Sequence, residues 1–207
     1  MSFLVNGVQV EDTFAEGFSM WGSRLIITAA TQKWANIAAT SMSGFATSVI
    51  ACDCEAAIEK EIPADESPDG RPGTAVMVYG FSKKKLAASM LSRLGQCVLT
   101  CPSTAVFNGL PAKDADTMLD IGKSIRFFGD GYQVKMRMGD GWQSRKRFWR
   151  IPVMEGEFLI EEKIGAKKAV AGGNLLIMGD TEDIPLKASE AAIDAIHEIN
   201  GVVTPFP

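Results

Sequence analysis

An α+β fold is predicted, and three observations predict it. Apolar runs of strand length alternate with amphipathic helical stretches between residues 24 and 102, in the order β-α-β-β-α-β. That order is the ferredoxin-like unit. Residues 103 to 172 then give short β-rich runs parted by glycine turns, which read as a meander. From Gly172-Gly173 a strand, a helix and a strand appear once more, and Pro207 arrives before a second set of six elements is complete. The expected organisation is a ferredoxin-like lobe with a β-rich extension over residues 1–150, and an incomplete, truncated second ferredoxin-like lobe over 151–207.

The elements follow in order. Leu4 to Val10 is a hairpin, because Asn6-Gly7 supplies the positive φ angles of a type I′ turn between alternating apolar residues. A short helix should follow, since Thr13 and Glu16 have capping-box spacing. Leu25 to Ala30 is the first strand of the unit, and Trp34, Ile37, Ala38 and Met42 mark a helix that Gly44 ends. Ala46 to Ala51 is the second strand, followed by a long loop containing Pro68-Asp69-Gly70-Arg71-Pro72-Gly73. Thr74 to Tyr79 is the third strand. The next helix carries Leu86, Ala87, Met90, Leu91 and Leu94, with Gly95 as its stop, and Gln96 to Thr100 is the fourth strand. Val76-Met77-Val78 is apolar throughout, so this strand is expected to be buried on both faces. Two helices cover only one face of such a sheet; a second lobe or a neighbouring subunit must cover the other.

In the meander the runs are Ser124 to Phe128, Tyr132 to Met138, Arg147 to Val153 and Glu157 to Ile164, with Asp140-Gly141 as a hairpin turn. Beyond it come the strand Asn174 to Met178, a helix with Ala188, Ala191, Ala192, Ala195, Ile196 and Ile199 on its apolar face, and Val202-Val203 after the stop signal Asn200-Gly201. Strands 1 and 2 of a ferredoxin-like sheet do not touch each other, so these two would lack ladder partners. Each unpaired buried backbone group costs about 1–3 kcal/mol, so the natural chain is expected to be longer.

Composition narrows the function classes. The 207 residues are 46% hydrophobic and 22% charged with net charge −4, and the pI is about 5.1. These values argue against non-specific binding to nucleic acid or an anionic membrane. No basic leader and no apolar run of membrane-spanning length is present, which reads as cytoplasmic. Cys52, Cys54, Cys97 and Cys101 lack the usual zinc spacings, and the proposed topology puts the two pairs on opposite edge strands, roughly 14 Å apart at about 4.8 Å per strand. No metal site is expected. The single histidine, His197, lies opposite the alanine stripe of the last helix, which disfavours cysteine or serine catalysis through a histidine base. Phe127-Phe128-Gly129-Asp130-Gly131-Tyr132 and Ala171-Gly172-Gly173-Asn174 are glycine-rich turns without nucleotide-binding spacing; tight turns or ligand-approaching backbone both fit them. Residues 135–150 are basic, with Lys135, Arg137, Arg145, Lys146, Arg147 and Arg150 beside Phe148 and Trp149. Residues 52–66 are acidic. A small anion, a subunit contact or plain solvation would each suit such stretches.

Several segments, in order, resemble one family: Glu11-Asp12-Thr13-Phe14-Ala15-Glu16, Ser43-Gly44-Phe45-Ala46-Thr47-Ser48-Val49-Ile50, Pro68-Asp69-Gly70-Arg71-Pro72-Gly73, Gly95-Gln96-Cys97, Phe128-Gly129-Asp130-Gly131-Tyr132-Gln133, Ile151-Pro152-Val153-Met154-Glu155-Gly156-Glu157-Phe158 and Pro205-Phe206-Pro207. The sequence is similar from end to end to formylmethanofuran:tetrahydromethanopterin N-formyltransferase. The resemblance implies a cytoplasmic transferase of one-carbon metabolism and methanogenesis, without a bound cofactor. Methanofuran and tetrahydromethanopterin would be its carrier substrates, with the formyl group passing directly between them in a ternary complex. It also implies two ferredoxin-like lobes and a homotetramer when intact, with no nucleic-acid or membrane partner. The catalytic glutamate of the family is expected beyond residue 207, so no catalytic residue is carried over. Asp130, Tyr132, Gln133 and Asn174 are the expected substrate contacts, and the basic stretch would meet the carboxylates and phosphate of the carriers. The alternative is a non-catalytic truncated paralogue serving as a scaffold subunit of a formyltransferase/hydrolase complex.

Overall fold

The chain begins with a hairpin of β1 (Ser2–Val5) and β2 (Val8–Glu11). Asn6 and Gly7 turn it with φ of 49° and 81°, as the Asn-Gly pair predicts. The computed structural model describes residues 2–14, 16–44, 46, 52–139, 146–172 and 175–204. After the hairpin come β3 (Phe18–Thr28), α1 (Gln32–Ser43), β4 (Glu55–Ile62), β5 (Gly73–Gly80), α2 (Lys83–Arg93) and β6 (Ala105–Asn108). The remaining elements are β7 (Thr117–Leu119), α3 (Ile121–Ile125), β8 (Val134–Met138), β9 (Lys146–Val153), β10 (Gly156–Glu161), β11 (Ile164–Ala171) and α4 (Asp183–His197).

One mixed sheet organises the molecule, with strands in the order β4-β5-β3-β6-β10-β9-β8. Only β10 and β6 run parallel among the described pairs; the others are antiparallel. β3 is eleven residues long and serves two neighbours on one side, β11 along residues 18–22 and β6 along residues 25–28. The result is an α+β fold with four α-helices among the described residues.

Alternation along β3 divides the core. Leu25 and Ile27 join Val76, Val78 and Ala56 on the face covered by α1, α2 and α3, where Met42, Leu86, Met90, Ile121 and Ile125 are buried. Ile26 points to the other face and packs with Phe107, Phe148, Met136 and Leu159. The Phe107 and Phe148 rings meet edge-on at 5.8 Å. β5 is buried along its length apart from half-buried Met77, as its continuous apolar run predicts.

α1 and α2 start where their caps require. The Thr31 hydroxyl accepts the Trp34 N–H, and the Ser82 hydroxyl accepts the Lys85 N–H. The buried face of α1 is Ala35, Ala38, Ala39 and Met42, whereas Trp34 and Ile37 are each 38% exposed. Small residues let the helix lie close to the sheet, so the face is set by fit rather than by the largest side chains.

Several expectations are corrected. Residues 12–14 and 16–17 are not helical; Phe14 is exposed and gives a helix there nothing to pack against. In the described sheet the strand that follows α1 is β4 at Glu55–Ile62; of the expected strand Ala46–Ala51 only Ala46 is among the described residues. Gly95 does not stop α2, because the chain continues through a π-helical turn, Leu94–Val98, closed by Leu99 N–H to Leu94 O at 2.8 Å. A Cβ on Gly95 would lie 2.8 Å from the Phe128 ring, so this glycine permits a close approach. The fourth strand is therefore β6, and Gln96 to Thr100 is not extended. Ser124 to Phe128 is also helical, through α3 and a 3-10 turn at Arg126–Gly129. Ile121 and Ile125, four residues apart, are the pair it buries. Glu157 to Ile164 divides into β10 and β11. Residues 175–178 form no strand; Leu175, Leu176 and Met178 are 79, 87 and 83% exposed, and no described strand offers them a ladder. Val202 and Val203 are likewise not extended into a strand. Asp140-Gly141, Gly173-Asn174 and Pro205-Phe206-Pro207 lie outside the described residues. Residue 150, at the expected division of the chain, falls inside β9.

Candidate substrate site

The turn Gly129 to Gln133 brings three of the four expected contacts together. The 3-10 turn ends on Asp130 in the left-handed region, φ 45° and ψ 41°, and Gly131 follows at φ 90°. Tyr132 N–H donates to Gly129 O at 2.8 Å. Gly131 N–H donates to Gln133 Oε1 at 2.9 Å. Gln133 thus folds back over the turn, and a Cβ on Gly129 would meet its side chain at 2.9 Å. The glutamine braces the turn while Tyr132, 77% exposed, projects from it. Asn174, the fourth expected contact, lies outside the described residues.

Aromatic and basic groups flank this turn. The Arg126 guanidinium lies 4.2 Å from the Phe127 ring centroid and 5.1 Å from that of Trp149. Lys135 Nζ is 5.7 Å from the same indole, whose buried N–H has no hydrogen-bond partner among the described residues. Cations over aromatic faces are held by the ring quadrupole without losing their charge. The surface therefore combines flat rings with positive groups, which suits a planar or anionic ligand. Phe128, over Gly95, joins two segments that stand far apart in sequence.

The basic stretch is less open than its composition suggests. Lys146 pairs with Glu161 at 3.2 Å, Arg147 with Glu162 at 2.6 Å and Arg150 with Glu157 at 3.1 Å. The cross-strand register β9–β10 sets these pairs. The acidic stretch is similarly occupied from within. Asp53 pairs with Arg93, which holds its carboxyl below the usual range, Glu59 pairs with Arg24, and Glu61 accepts from Asn36.

Two clefts carry groups that the sequence did not single out. One, of about 630 Å³, lies on the sheet face opposite α1, α2 and α3 and is lined by Gly22, Arg24, Glu59, Met77, Tyr79 and Gly201, the last just beyond α4. Arg24 Nε is 2.5 Å from Glu59 Oε2. Glu59 Oε1 accepts Gly201 N–H at 2.8 Å, and Tyr79 OH donates to Gly201 O at 3.2 Å. An arginine inside the apolar run 20–29 was the sequence signal for this cluster. The other cleft, of about 430 Å³, is bordered by Asn108, Lys146, Arg147, Glu161 and Glu162. Burial raises the Glu161 carboxyl above its ordinary value, opposed by Asn108 N–H at 3.0 Å and by Lys146. Neighbouring carboxylates 161 and 162 gave no spacing motif, and their burial follows only from the β10–β9 pairing.

The cysteines take no part in either cleft. Burial pushes the Cys54 thiol up to about 11, and burial raises Cys101 as well, so both are thiols at neutral pH. Among the described residues no group of three or more His, Cys, Asp or Glu could hold a metal ion. No described helix is long and apolar enough to cross a membrane. His197 is exposed near the end of α4.

The family of formylmethanofuran-tetrahydromethanopterin formyltransferases matches residues 3–153, and its proximal lobe matches residues 156–207. The formylmethanofuran–tetrahydromethanopterin formyltransferase of Methanocaldococcus jannaschii is 53% identical over 98% of this chain and 65% of that protein. One component of the formyltransferase/hydrolase complex of Methylorubrum extorquens is 48% identical over 99% of this chain and 65% of that protein. The X-ray crystal structure of the same complex with methylofuran superposes on the whole chain with a TM-score of 0.92, covering 67% of the matched chain. The Methanosarcina barkeri formyltransferase gives a TM-score of 0.87 at 47% identity, over 99% of this chain and 67% of that one. The chain spans about two thirds, 65–66%, of the length of the curated relatives it matches. It belongs to the formylmethanofuran-tetrahydromethanopterin formyltransferase family.

Proposed function

We propose that the protein acts in one-carbon metabolism as an N-formyltransferase, moving a formyl group directly between formylmethanofuran and tetrahydromethanopterin in a ternary complex. The observation that carries this reading is 53% identity to a formyltransferase over 98% of the chain. In the reaction an amine nitrogen attacks the formyl carbon, the carbonyl oxygen takes up the charge, and a proton passes from the attacking nitrogen to the departing one. Positioning of the two nitrogens supplies much of the acceleration, and a donor to the oxyanion supplies more. Asp130, Tyr132 and Gln133, with Asn174, are the proposed substrate contacts. Tyr132 offers a ring face, Gln133 fixes the turn, and Arg126 and Lys135 offer charge to carboxylates or phosphate. Glu161 has the raised carboxyl that proton transfer favours, but it is committed to Asn108 N–H and Lys146, so it is not assigned that step.

The same proposal includes a ferredoxin-like lobe with a β-rich extension over residues 1–150, built on β3-α1-β4-β5-α2-β6, and the incomplete start of a second such lobe over residues 151–207. Its support is the strand order β4-β5-β3-β6 with α1 and α2 on one face. A cytoplasmic location, a homotetrameric assembly and association with hydrolase-complex subunits complete the reading. The scaffold alternative is not favoured, because relatives at 46–53% identity are named as formyltransferases. The test is calorimetric titration of each carrier into the protein, with formyl transfer followed by mass spectrometry. Binding weakened at least tenfold by Tyr132→Ala would support the site; unchanged binding in Asp130→Ala, Tyr132→Ala and Lys135→Ala would reject it.

A further inference from the structure

Past Arg93 the chain widens from α2 into the π-helical turn Leu94–Val98, closed by Leu99 N–H to Leu94 O at 2.8 Å. Turns of this kind are rare and recur at functional sites. Leu94 and Val98 are fully buried, and Gly95 is buried beside them. The φ of Gly95 is not in the left-handed region, so the backbone admits an alanine there. Alanine is also the better helix former. Neither backbone conformation nor helix propensity accounts for a glycine at this position.

Phe128 does account for it. A Cβ on Gly95 would lie 2.8, 3.2 and 3.4 Å from Cζ, Cε2 and Cε1 of the Phe128 ring, its three nearest atoms. The ring is half exposed, so it lies over the glycine as a cover and not within the core. Phe128 belongs to the 3-10 turn Arg126–Gly129, which runs directly into Asp130, Gly131 and Tyr132. The hydrogen bonds that shape the following turn are local: Asp130 N–H to Phe127 O at 3.3 Å, Tyr132 N–H to Gly129 O at 2.8 Å and Gly131 N–H to Gln133 Oε1 at 2.9 Å. They set the form of the turn but not its place on the molecule. Contacts with distant elements do that. The Arg126 guanidinium, 5.1 Å from the Trp149 ring of β9, ties the turn to the sheet, and Phe128 over Gly95 ties it to the helix layer.

We propose that Gly95 is a positioning residue for the carrier-binding turn: by leaving room for the Phe128 ring, it seats Asp130, Tyr132 and Gln133 where a carrier meets them. This role rests on those three residues being carrier contacts. Carbon atoms in contact settle about 3.5–4.0 Å apart, so a methyl group at residue 95 drives the ring tip back by roughly 1 Å. The half-exposed ring is the part that yields, while Leu94 and Val98 keep their places in the core. The fold survives, and the displacement passes along the 3-10 turn to Asp130 and Tyr132. Misplacement on the order of 1 Å can lower a rate about a hundredfold where transfer depends on positioning.

The test compares Gly95→Ala, Phe128→Leu and the double variant Gly95→Ala/Phe128→Leu by amide hydrogen exchange without carriers and by calorimetric titration of formylmethanofuran and tetrahydromethanopterin. In Gly95→Ala the Gly131 and Tyr132 amides should exchange about fivefold faster or more, while the amides of β5 keep wild-type protection. Carrier binding should weaken about tenfold or more. The shorter leucine leaves room for the methyl group, so adding Gly95→Ala to Phe128→Leu should change neither readout by more than about twofold. A glycine needed only by the π-helical turn would carry the same penalty in both backgrounds, and that result would overturn the proposal. So would unchanged exchange in Gly95→Ala, or unchanged binding in Gly95→Ala when Tyr132→Ala weakens it. If exchange responds as expected but neither Gly95→Ala nor Tyr132→Ala alters binding, the carrier contacts themselves are wrongly placed, and the positioning role falls with them.

Discussion

Replacing Asp69 by alanine should unfold the protein at a markedly lower temperature, because its carboxylate ties three segments together. Asp69 Oδ2 accepts from Thr28 Oγ1 at 2.8 Å and from Arg71 Nε at 2.8 Å, and Oδ1 accepts from Arg71 N–H at 3.2 Å. Arg71 then donates to Ser103 O at 2.6 Å and to Thr28 Oγ1 at 3.0 Å. The end of β3, the loop before β5 and the approach to β6 are joined through this pair. Hydrogen bonds to a charged partner contribute about 1.5–3 kcal/mol each when buried. Here the Asp69 side chain is 14% exposed and that of Arg71 34%, so solvent screening lowers the sum. A loss of about 2–4 kcal/mol is expected, which for a domain of this size lowers Tm by roughly 4–16 °C. Asp69→Asn should lose less, since it keeps one acceptor oxygen. Urea unfolding of Asp69→Ala, Arg71→Ala and the double variant measures the coupling between them. A loss below about 0.5 kcal/mol in Asp69→Ala, or strict additivity in the double variant, would refute the clamp.

Three further outcomes are expected. Gly122→Ala should cost more than about 3 kcal/mol, since its Cβ would overlap the Glu161 carbonyl oxygen and lie 3.0 Å from Glu162 Cα, both backbone. Gly131→Ala, with open space but φ of 90°, should cost only about 1–2 kcal/mol of strain; equal urea midpoints for the two variants would contradict this. Glu161→Gln should change the pH dependence of stability. The folded carboxyl is raised above 4.5 by burial, so its contribution is fully present below that value and lost as pH rises through the folded pKa. The variant should therefore gain on wild type between pH 4 and 7 in denaturant melts, and a pH-independent difference would count against it. Tyr132→Ala should leave stability within about 0.5 kcal/mol, given its exposure, while weakening carrier binding; a large loss of Tm would place the ring in the core instead.

Local chemistry made much of the first half of the chain legible. Asn6-Gly7 named the first turn, the spacing of Ala38 and Met42 and of Leu86 and Met90 marked the two helices, and Val76-Met77-Val78 marked a strand buried along most of its length. The family was legible too, in segments such as Pro68-Asp69-Gly70-Arg71-Pro72-Gly73, although the structure gives that one the work of a clamp. Short apolar runs were less informative. Cys97-Val98-Leu99 suits a strand or a helix equally, and Phe128 over Gly95 holds it helical. The charged stretches looked like opposed surfaces, yet Lys146–Glu161, Arg147–Glu162 and Arg24–Glu59 neutralise much of both.

The sequence by itself determined the turn of the first hairpin, the strands and helices with strong local patterns such as β5, α1 and α2, and membership in the formyltransferase family, because each depends on residues near one another or on residue identity in order. Tertiary structure decided which strands are neighbours, which charges meet, and which apolar faces stay bare. Those outcomes depend on register, and register is fixed only when distant segments compete for the same sheet edge. β11 and β6 share one side of β3, and residues 175–178 find no edge among the described strands, for the same reason.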